Sequence, residues 1–331
     1  MDKRCFYIRL LLALAVALAA TACTSDREET PLVTPEEAAV SKPVIKLAQR
    51  GWLGFELDNA VAKILLEEEM GYPVEIIEVR KDAIFESLAG GETHANLEIW
   101  TSAWTDEIRS YIEVEETVEN GGLLGVVGKI AWFIPTYVLD EHPELATWEG
   151  LVDPANVALF STPKTEDKGQ FLDGDPDWAG YDQDIIRNLG LDFEVVHTGS
   201  EQTLIEAVNE ACDRQEFVLF YFWSPHYLFA QLDLTEIKLP EYNDACYARA
   251  EAGGVDCDYP LDPLLKALWP GLKDYAPAAY QFLKNFDYTT QDQIMMLALV
   301  EVQGKTVEEA ARIWIEQNEN VWSRWLPQAE E

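Results

Sequence analysis

The sequence is poor in basic residues and in histidine, and both shortages exclude classes of partner. Its 331 residues include 24 Lys and Arg against 60 Asp and Glu, which gives a formal net charge of −36 at pH 7. Nucleic-acid phosphates and anionic lipid headgroups repel so acidic a chain, so we expect neither as a partner. The four histidines are scattered, and no pair of Cys or His has the spacing of metal ligands, so no metal site is predicted.

Apolar runs long enough to span a bilayer are also lacking. Near the N-terminus, three basic residues precede the apolar run Leu10–Ala20, which is shorter than the ~20 residues of a membrane span. These features predict a signal peptide over residues 1–22, with a permanent membrane anchor as the alternative. The small residues before Cys23 resemble a bacterial lipobox, which implies that Cys23 is lipidated and that the protein is exported and held at the membrane, in the periplasm or at the cell surface. Residues 23–43 are typical of a flexible polar tether.

Cysteine is scarce as well. Once Cys5 is cleaved off and Cys23 is lipidated, Cys212, Cys246 and Cys257 remain in an oxidising compartment. Cys246 and Cys257 flank a glycine-containing stretch typical of a surface loop. A disulfide between them would stabilise the fold by roughly 3 kcal/mol, because it restricts the unfolded chain. We favour this disulfide over the pairings with Cys212, which leaves Cys212 as a free, buried thiol.

Catalytic motifs are missing from the chain. The sequence contains no G-x-S-x-G elbow, no phosphate-binding P-loop and no G-x-G-x-x-G fingerprint, and among 60 acidic residues a carboxylate pair carries no information. Asp173, Asp175, Asp177 and Asp184 have the spacing of a calcium-binding EF-hand loop, but Trp178 stands where that loop requires glycine. No catalytic motif therefore indicates an enzyme, and no cofactor is predicted.

What the sequence does contain is an alternation of strand and helix patterns in a chain long enough for two domains. This order predicts an α/β fold with parallel strands. Strands are predicted over Val44–Leu47, Val74–Val79, Ala95–Ile99, Val157–Phe160, Phe193–Val196 and Phe217–Phe222. Helices are predicted over Leu57–Met70, Ala83–Ala89, Asp182–Leu189 and Glu201–Cys212, and near Pro263–Leu268, Ala276–Phe286 and Val307–Trp322.

Tryptophan is abundant, with eleven in the chain, and several lie where open α/β folds bind their ligands. Trp100 and Trp223 each end a predicted strand. Trp178 lies in a turn-rich loop before a predicted helix, and Trp52 follows the first strand. Any one of these indoles could instead pack in a core, but four at strand ends and loops favour a binding site.

Six blocks of sequence resemble a known family. They are GWLGFELDNAVAKILLEEEMGY, LEIWTSAW, GKIAWFIPTYV, GDPDWAGYD with GSEQTLIEAVNEA, FYFWSPHYLFAQLDLTEIKLP, and the closing PAAYQFLKNFDYTTQDQIMMLALVEVQGKTVEEAARIWIEQNENVWSRWL. In this order they are similar to the glycine betaine/proline betaine/choline substrate-binding proteins of ABC importers, from about Val44 to Leu326. The resemblance implies a type II periplasmic-binding-protein clamshell, in which two α/β lobes joined by crossing segments enclose the ligand. It also implies a protein that is not an enzyme.

The same resemblance implies an aromatic cage of Trp100, Trp178 and Trp223. A quaternary ammonium has a permanent charge and no N–H, so only π faces and carboxylates can hold it. A desolvated cation–π contact is worth up to about 2 kcal/mol, and three rings give roughly 6, beside the ~8.2 kcal/mol of a micromolar complex. Association entropy removes part of that sum.

A betaine also has a carboxylate, which needs its own partners. We expect the backbone N–H groups of Ala179 and Gly180, ahead of the next helix, to bind it, with help from His226. His226 could equally be a structural residue.

Further aromatic residues are candidates for a fourth wall of the cage, namely Trp52, Trp104, Trp132 and Tyr137. Choline-binding relatives tend to carry an acid two residues after their first cage tryptophan. In this chain the corresponding position is Gly54, two residues after Trp52, which favours a zwitterion over choline. Trp104 stands where some betaine binders carry a carboxylate-binding histidine, so the anion site is left open.

We therefore expect a lipid-anchored, monomeric binding protein that delivers glycine betaine or a related betaine to an ABC permease and its ATPase. Lobe 1 is predicted over 44–131 and 241–327, and lobe 2 over 132–240. A choline or other quaternary-amine receptor is the alternative in the same fold. An exported glycan-active enzyme that stacks sugars on tryptophan is the alternative of another class.

Overall fold

The computed structural model describes residues 42–176, 178 and 180–327. The predicted signal peptide, Cys23, most of the tether and Ala179 lie outside the described residues. No helix within the described ranges is both long and apolar enough to cross a membrane.

Nine strands form one sheet in this part of the chain. The strands are β1 (Ile45–Gln49), β2 (Val74–Glu78), β3 (Ala95–Ile99), β4 (Glu119–Pro135), β5 (Gly169–Asp173), β6 (Phe193–His197), β7 (Leu219–Ser224), β8 (Leu234–Glu236) and β9 (Leu261–Leu268).

Helices flank the sheet, and most of the predicted helices are present, whereas the helix over Thr290–Glu301 was not predicted. They are α1 (Leu53–Glu68), α2 (Ile84–Gly90), α3 (Thr105–Glu107), α4 (Tyr137–Glu141), α5 (Pro154–Val157), α6 (Asp182–Asn188), α7 (Glu201–Asp213), α8 (Leu228–Gln231), α9 (Asp244–Tyr247), α10 (Leu272–Tyr275), α11 (Pro277–Asn285), α12 (Thr290–Glu301), α13 (Val307–Gln317) and α14 (Glu319–Trp322).

The strand order shows two parallel groups joined by long antiparallel strands. The order is β2-β1-β3-β9-β4-β7-β5-β6, with β8 also paired to β4. Strands β1, β2 and β3 pair in parallel, as do β5, β6 and β7, whereas β9 and β4 run antiparallel to their neighbours. Each parallel group is the part of the sheet that belongs to one lobe. Strands β4 and β9 cross between the two groups.

Two large apolar cores correspond to these groups. The first takes its buried side chains from residues 45–126 and 264–325, and the second from residues 131–259. Strand β4 contributes Leu124 and Val126 to the first core and Ala131 to the second, so it passes from one lobe to the other. Val255 and Tyr259 also pack in the second core, whereas the sequence prediction assigned residues 241–327 to the first lobe.

Two predicted elements are wrong. Residues 157–160 are helical rather than extended, because Asp153 caps the N-terminus of α5 and Pro154 occupies its first turn. Residues 263–268 belong to strand β9 rather than to a helix. Pro263 pairs with Val127 at a shift in the register of β4, where the N–H that proline lacks is not needed.

Candidate functional site

The carboxyl ends of the parallel strands meet at one edge of the first lobe. Arg50 and Trp52 follow β1, Lys81 follows β2 and Trp100 follows β3, and these three strands are neighbours in the sheet. In the second lobe, Trp223 lies at the carboxyl end of β7. Both lobes therefore present side chains from the edge at which open α/β sheets bind ligands.

A cavity of about 290 Å³ lies where these strand ends come together. Its lining consists of aromatic and charged side chains with one alanine, namely Arg50, Trp52, Phe55, Lys81, Glu98, Trp100, Ala103, Trp104 and Trp223. Trp100 packs against the first core and Trp223 against the second. The cavity thus has an indole from each lobe, and its volume suits a compact solute, since drug-sized sites are ~300–1,000 Å³.

A glycine on the crossing strand β4 holds the position of Trp100. A Cβ placed on Gly128 would come within 2.2 Å of the Trp100 ring, so the indole lies directly against the backbone there. The Trp100 Nε1 group donates a 2.7 Å hydrogen bond to Glu98. Both contacts fix the plane of the ring at the cavity.

We expect Gly128→Ala to weaken ligand binding roughly tenfold, because the added methyl group must displace the Trp100 ring and the loss of one cation–π contact costs ~1–2 kcal/mol. Calorimetric titration measures the change. Gly51→Ala is the matched control, since nothing lies within 4 Å of a Cβ at Gly51, beside the cavity. Equal affinities of the two variants would contradict this role of Gly128.

Trp178 lies beside Trp223 but is not part of the lining of the cavity. Its ring is perpendicular to the Trp223 ring, with 5.3 Å between centroids, and is 5.8 Å from the ring of Tyr221. A Cβ on Gly174 would come within 2.0 Å of the Trp178 ring, so this indole too lies against a glycine.

Glu98 is a carboxylate that the sequence analysis did not single out. It lies on β3, is 3% exposed and lines the cavity. Behind it is a buried polar cluster from three helical and loop segments: Gln293 donates hydrogen bonds to Asp58 (3.1 Å) and Glu98 (3.4 Å), and the hydroxyl of Tyr288 also donates to Asp58. Asp58 and Glu98 hydrogen-bond to each other as well.

Burial and these contacts shift the pKa values of the two carboxyl groups. Burial raises the pKa of Asp58 well above its usual range, and the charge of Glu98 raises it further. Burial also raises the pKa of Glu98, but the hydrogen bonds from Trp100 and Asp58 lower it in part. Asp58 is therefore the carboxyl that holds a proton more strongly, and hydrogen bonds favour the ionised form of Glu98, at the wall of the cavity.

Trp132 and Tyr137, two predicted candidates for the fourth wall, do not line the cavity. Trp132 is fully buried in the second core, where its Nε1 donates a 2.5 Å hydrogen bond to Asp182. The hydroxyl of Tyr137 donates to the backbone oxygen of Glu216, which precedes β7, whereas Trp223 is near the carboxyl end of that strand. An indole inside strand β4 needs a buried acceptor for its N–H, and Asp182 supplies one.

Of the predicted anion partners, the two that the structure describes, Gly180 and His226, are not in the lining. His226 is buried, its Nε2 is 3.1 Å from Glu201, and its Nδ1 accepts a hydrogen bond from the Leu228 N–H. Its ring packs against Trp223 with 5.4 Å between centroids, so His226 supports the indole instead of facing the cavity. Gly180 is exposed outside the lining, and Ala179 lies outside the described residues.

Arg50 and Lys81 were not predicted as site residues, although each lies shortly after the end of a strand, β1 for Arg50 and β2 for Lys81. Trp52 and Trp104, the two remaining candidates for a fourth wall, do line the cavity. Trp104 is 5% exposed, and both cations lie over its ring.

A disulfide joins Cys246 to Cys257, while Cys212 is a free thiol. Cys212 is half-buried on α7, not fully buried as expected. The disulfide ties the segment after α9 to the second core, on which both of its cysteines pack.

Comparison with protein families gives one match over most of the chain. The family described as the substrate binding domain of ABC-type glycine betaine transport systems matches residues 43–317. Among characterised proteins, the trimethylamine N-oxide-binding protein of Pelagibacter ubique is 28% identical over 301 residues, which cover 86% of this chain and 91% of that protein. The glycine betaine/carnitine transport binding protein GbuC of Listeria monocytogenes is 28% identical over 146 residues, 43% of each chain.

Solved structures share the fold at lower identity. Lactococcal OpuAC in its closed conformation with glycine betaine aligns with a TM-score of 0.57 and 20% identity, covering 86% of this chain and all of that one. A choline-binding protein in complex with choline aligns with a TM-score of 0.54 and 18% identity, covering 85% of this chain and 91% of that one. The described chain shares the fold of both proteins, in agreement with its two α/β lobes.

Proposed function

The chain belongs to the family of substrate-binding domains of ABC-type glycine betaine transport systems, and on this premise we propose that it binds glycine betaine, or a closely related trimethylammonium zwitterion, between its lobes. As a member of that family it is an extracytoplasmic binding protein of an importer for betaine- or choline-type solutes. It is not an enzyme, so the glycan-active alternative is set aside.

The observation that carries the proposal is the cavity in which Trp100 of one lobe and Trp223 of the other meet beside the buried carboxylate of Glu98. A methylated ammonium cannot be neutralised by losing a proton and cannot donate a hydrogen bond. Indole faces and one negative charge are the groups that attract it, and they do so most strongly when water is excluded.

Trp178 is proposed as the third ring of the cage. It already contacts the Trp223 ring at 5.3 Å, on the loop that follows β5. Closure of the second lobe on the first would bring this loop toward the ligand, as hinge motions do in periplasmic binding proteins. Trp52 and Trp104 complete the wall on the first lobe.

Trimethylamine N-oxide is a second candidate ligand. The relative that aligns over 91% of its own length carries this specificity in its name. The N-oxide has the same trimethylated nitrogen as glycine betaine, with its negative oxygen on the nitrogen itself, and a cavity of about 290 Å³ suits either solute. Choline is less well matched, because this chain has Gly54 at the position where choline binders tend to carry an acid.

The lobes that close on the ligand are proposed to comprise residues 44–131 with 261–327, and residues 132–260. The packing of Val255, Cys257 and Tyr259 in the second core supports an end of that lobe near residue 260 instead of 240. Closure would occur at β4 and β9, the strands that cross, and would signal occupancy to the permease and ATPase.

Anchoring is proposed to occur through a lipidated Cys23 after removal of residues 1–22. The polar segment 23–43 would then let a monomeric binding domain reach the permease from the membrane surface.

A ligand panel tests the proposal. We expect glycine betaine or trimethylamine N-oxide to bind the full-length protein at one site with a dissociation constant near the micromolar range, ~8 kcal/mol, and choline to bind at least tenfold more weakly. Quenching or enhancement of tryptophan fluorescence reports binding, because indoles line the cavity. A protein that binds none of the trimethylammonium compounds would overturn the proposed function.

A further inference from the structure

The predicted anion partners that the structure describes do not line the cavity. Gly180 and His226 are outside the lining, and His226 is occupied by Glu201 and the Leu228 N–H. A zwitterion in this cavity would have its ammonium among indoles and would still present a negative oxygen. That oxygen needs a donor or a positive charge, because an unpaired charge removed from water is costly.

Two positively charged side chains line the same cavity. Arg50 follows β1 and Lys81 follows β2, so adjacent parallel strands place them side by side. The guanidinium carbon of Arg50 is 5.8 Å from the centroid of the Trp104 ring, and the Nζ of Lys81 is 5.4 Å from it. The buried Trp104 ring is therefore a common platform that holds both cations at the cavity wall.

Neither cation has an acidic partner within the described part of the chain. The neighbouring Arg80, by contrast, pairs with Asp82 at 3.1 Å, in a chain with an excess of acidic residues. Arg50 and Lys81 instead interact with an indole and face a cavity that also contains Glu98. The lining thus combines two positive charges with one carboxylate.

From this arrangement we infer that Arg50 and Lys81 form the anion subsite, which binds the negative oxygen of a zwitterionic ligand whose methylated nitrogen lies among the tryptophans beside Glu98. The inference rests on the proposed function and adds a physical reason why the protein would prefer a zwitterion to a cation such as choline. A guanidinium and an ammonium attract a carboxylate or an N-oxide oxygen and repel a ligand that is only a cation. Arg50 and Lys81 are therefore specificity-determining residues.

The test compares Arg50→Gln, Lys81→Gln and the double variant with the wild-type protein, with glycine betaine and choline as probes in calorimetric titrations. Both probes have the same trimethylammonium group, but only glycine betaine has a carboxylate. We expect each single variant to lose about three- to tenfold in affinity for glycine betaine, and the double variant at least tenfold. Affinity for choline should be unchanged or rise, because positive charge is removed from the cavity.

Arg80→Gln is the matched control, since it removes the same charge one residue from Lys81, where the side chain is exposed and paired with Asp82. An unchanged affinity of the double variant for glycine betaine would overturn the inference, as would a parallel loss for both probes. These outcomes differ from a failure of the proposed function, in which the wild-type protein itself binds neither probe nor trimethylamine N-oxide.

Discussion

Replacing Trp223 with alanine is expected to lower the affinity for glycine betaine at least tenfold, about 1.4 kcal/mol, while the fold is kept. Trp223 is the indole that the second lobe contributes to the cavity lining. Its ring stacks on Phe222 with 4.6 Å between centroids and also supports the perpendicular ring of Trp178. The variant therefore removes one π face and releases a second, and each desolvated cation–π contact is worth up to about 2 kcal/mol.

Calorimetry is the appropriate measurement here, because the substitution removes a fluorophore. Trp148→Ala is the control, since it deletes a partly buried indole that packs on the second core outside the cavity. Trp223→Phe retains a ring with a weaker quadrupole and should fall between wild type and alanine. Affinity that is retained in Trp223→Ala, with an unchanged melting temperature, would exclude Trp223 from the cage.

The alternation of strands and helices was sufficient to predict the α/β class, because strands β1 to β3 and β6 have clear apolar runs between amphipathic helices. The long strand β4 was not predicted, because its glycines suggest a loop. Two of them adopt left-handed backbone conformations within the strand, Gly122 at φ +89° and Gly125 at φ +96°. A Cβ on Gly125 would come within 2.5 Å of the Tyr288 carbonyl oxygen, a contact made by distant parts of the chain.

The candidate site was predictable where it depends on strand ends and was missed where it depends on tertiary contacts. Trp100 and Trp223 follow strands, and their convergence on one cavity follows from sheet geometry. Trp132 has the same residue type within a strand, but Asp182, which accepts its N–H bond, is 50 residues away in the sequence. No local pattern distinguishes the two environments.

Glu98 was not predicted as a site residue, because its environment also depends on tertiary contacts. A carboxylate inside a short apolar strand resembles a solvent-facing position, yet it is 3% exposed. Its burial is tolerated because Trp100, Asp58 and Gln293 all hydrogen-bond to it, and two of these partners belong to helices that pack on the strand from distant segments. A buried charge at a cavity wall could be recognised only after the packing was known.

Replacing the buried Asp182 with asparagine is expected to change the pH dependence of stability by about 4 kcal/mol. Burial raises the pKa of Asp182 to about 7, against the hydrogen bond from Trp132 and with the charge of Asp173. Its carboxyl ionises near pH 3.9 in the unfolded chain. The stabilisation that comes from the neutral folded form is therefore complete below about pH 4 and is lost as the pH rises toward 7.

Asparagine can still accept the Trp132 hydrogen bond but does not titrate, so it removes this loss. Urea unfolding of the ligand-free protein at several pH values from 4 to 8 measures the difference between Asp182→Asn and wild type. That difference should move in favour of the variant by roughly 1.4 kcal/mol per pH unit between pH 4 and 7, and level off above the folded pKa. Asp192→Asn removes the same charge at an exposed position before β6 and should show no such slope. A difference that stays constant across the range would mean that Asp182 ionises in the folded lobe at the same pH as in the unfolded chain. That result would contradict the raised pKa of Asp182.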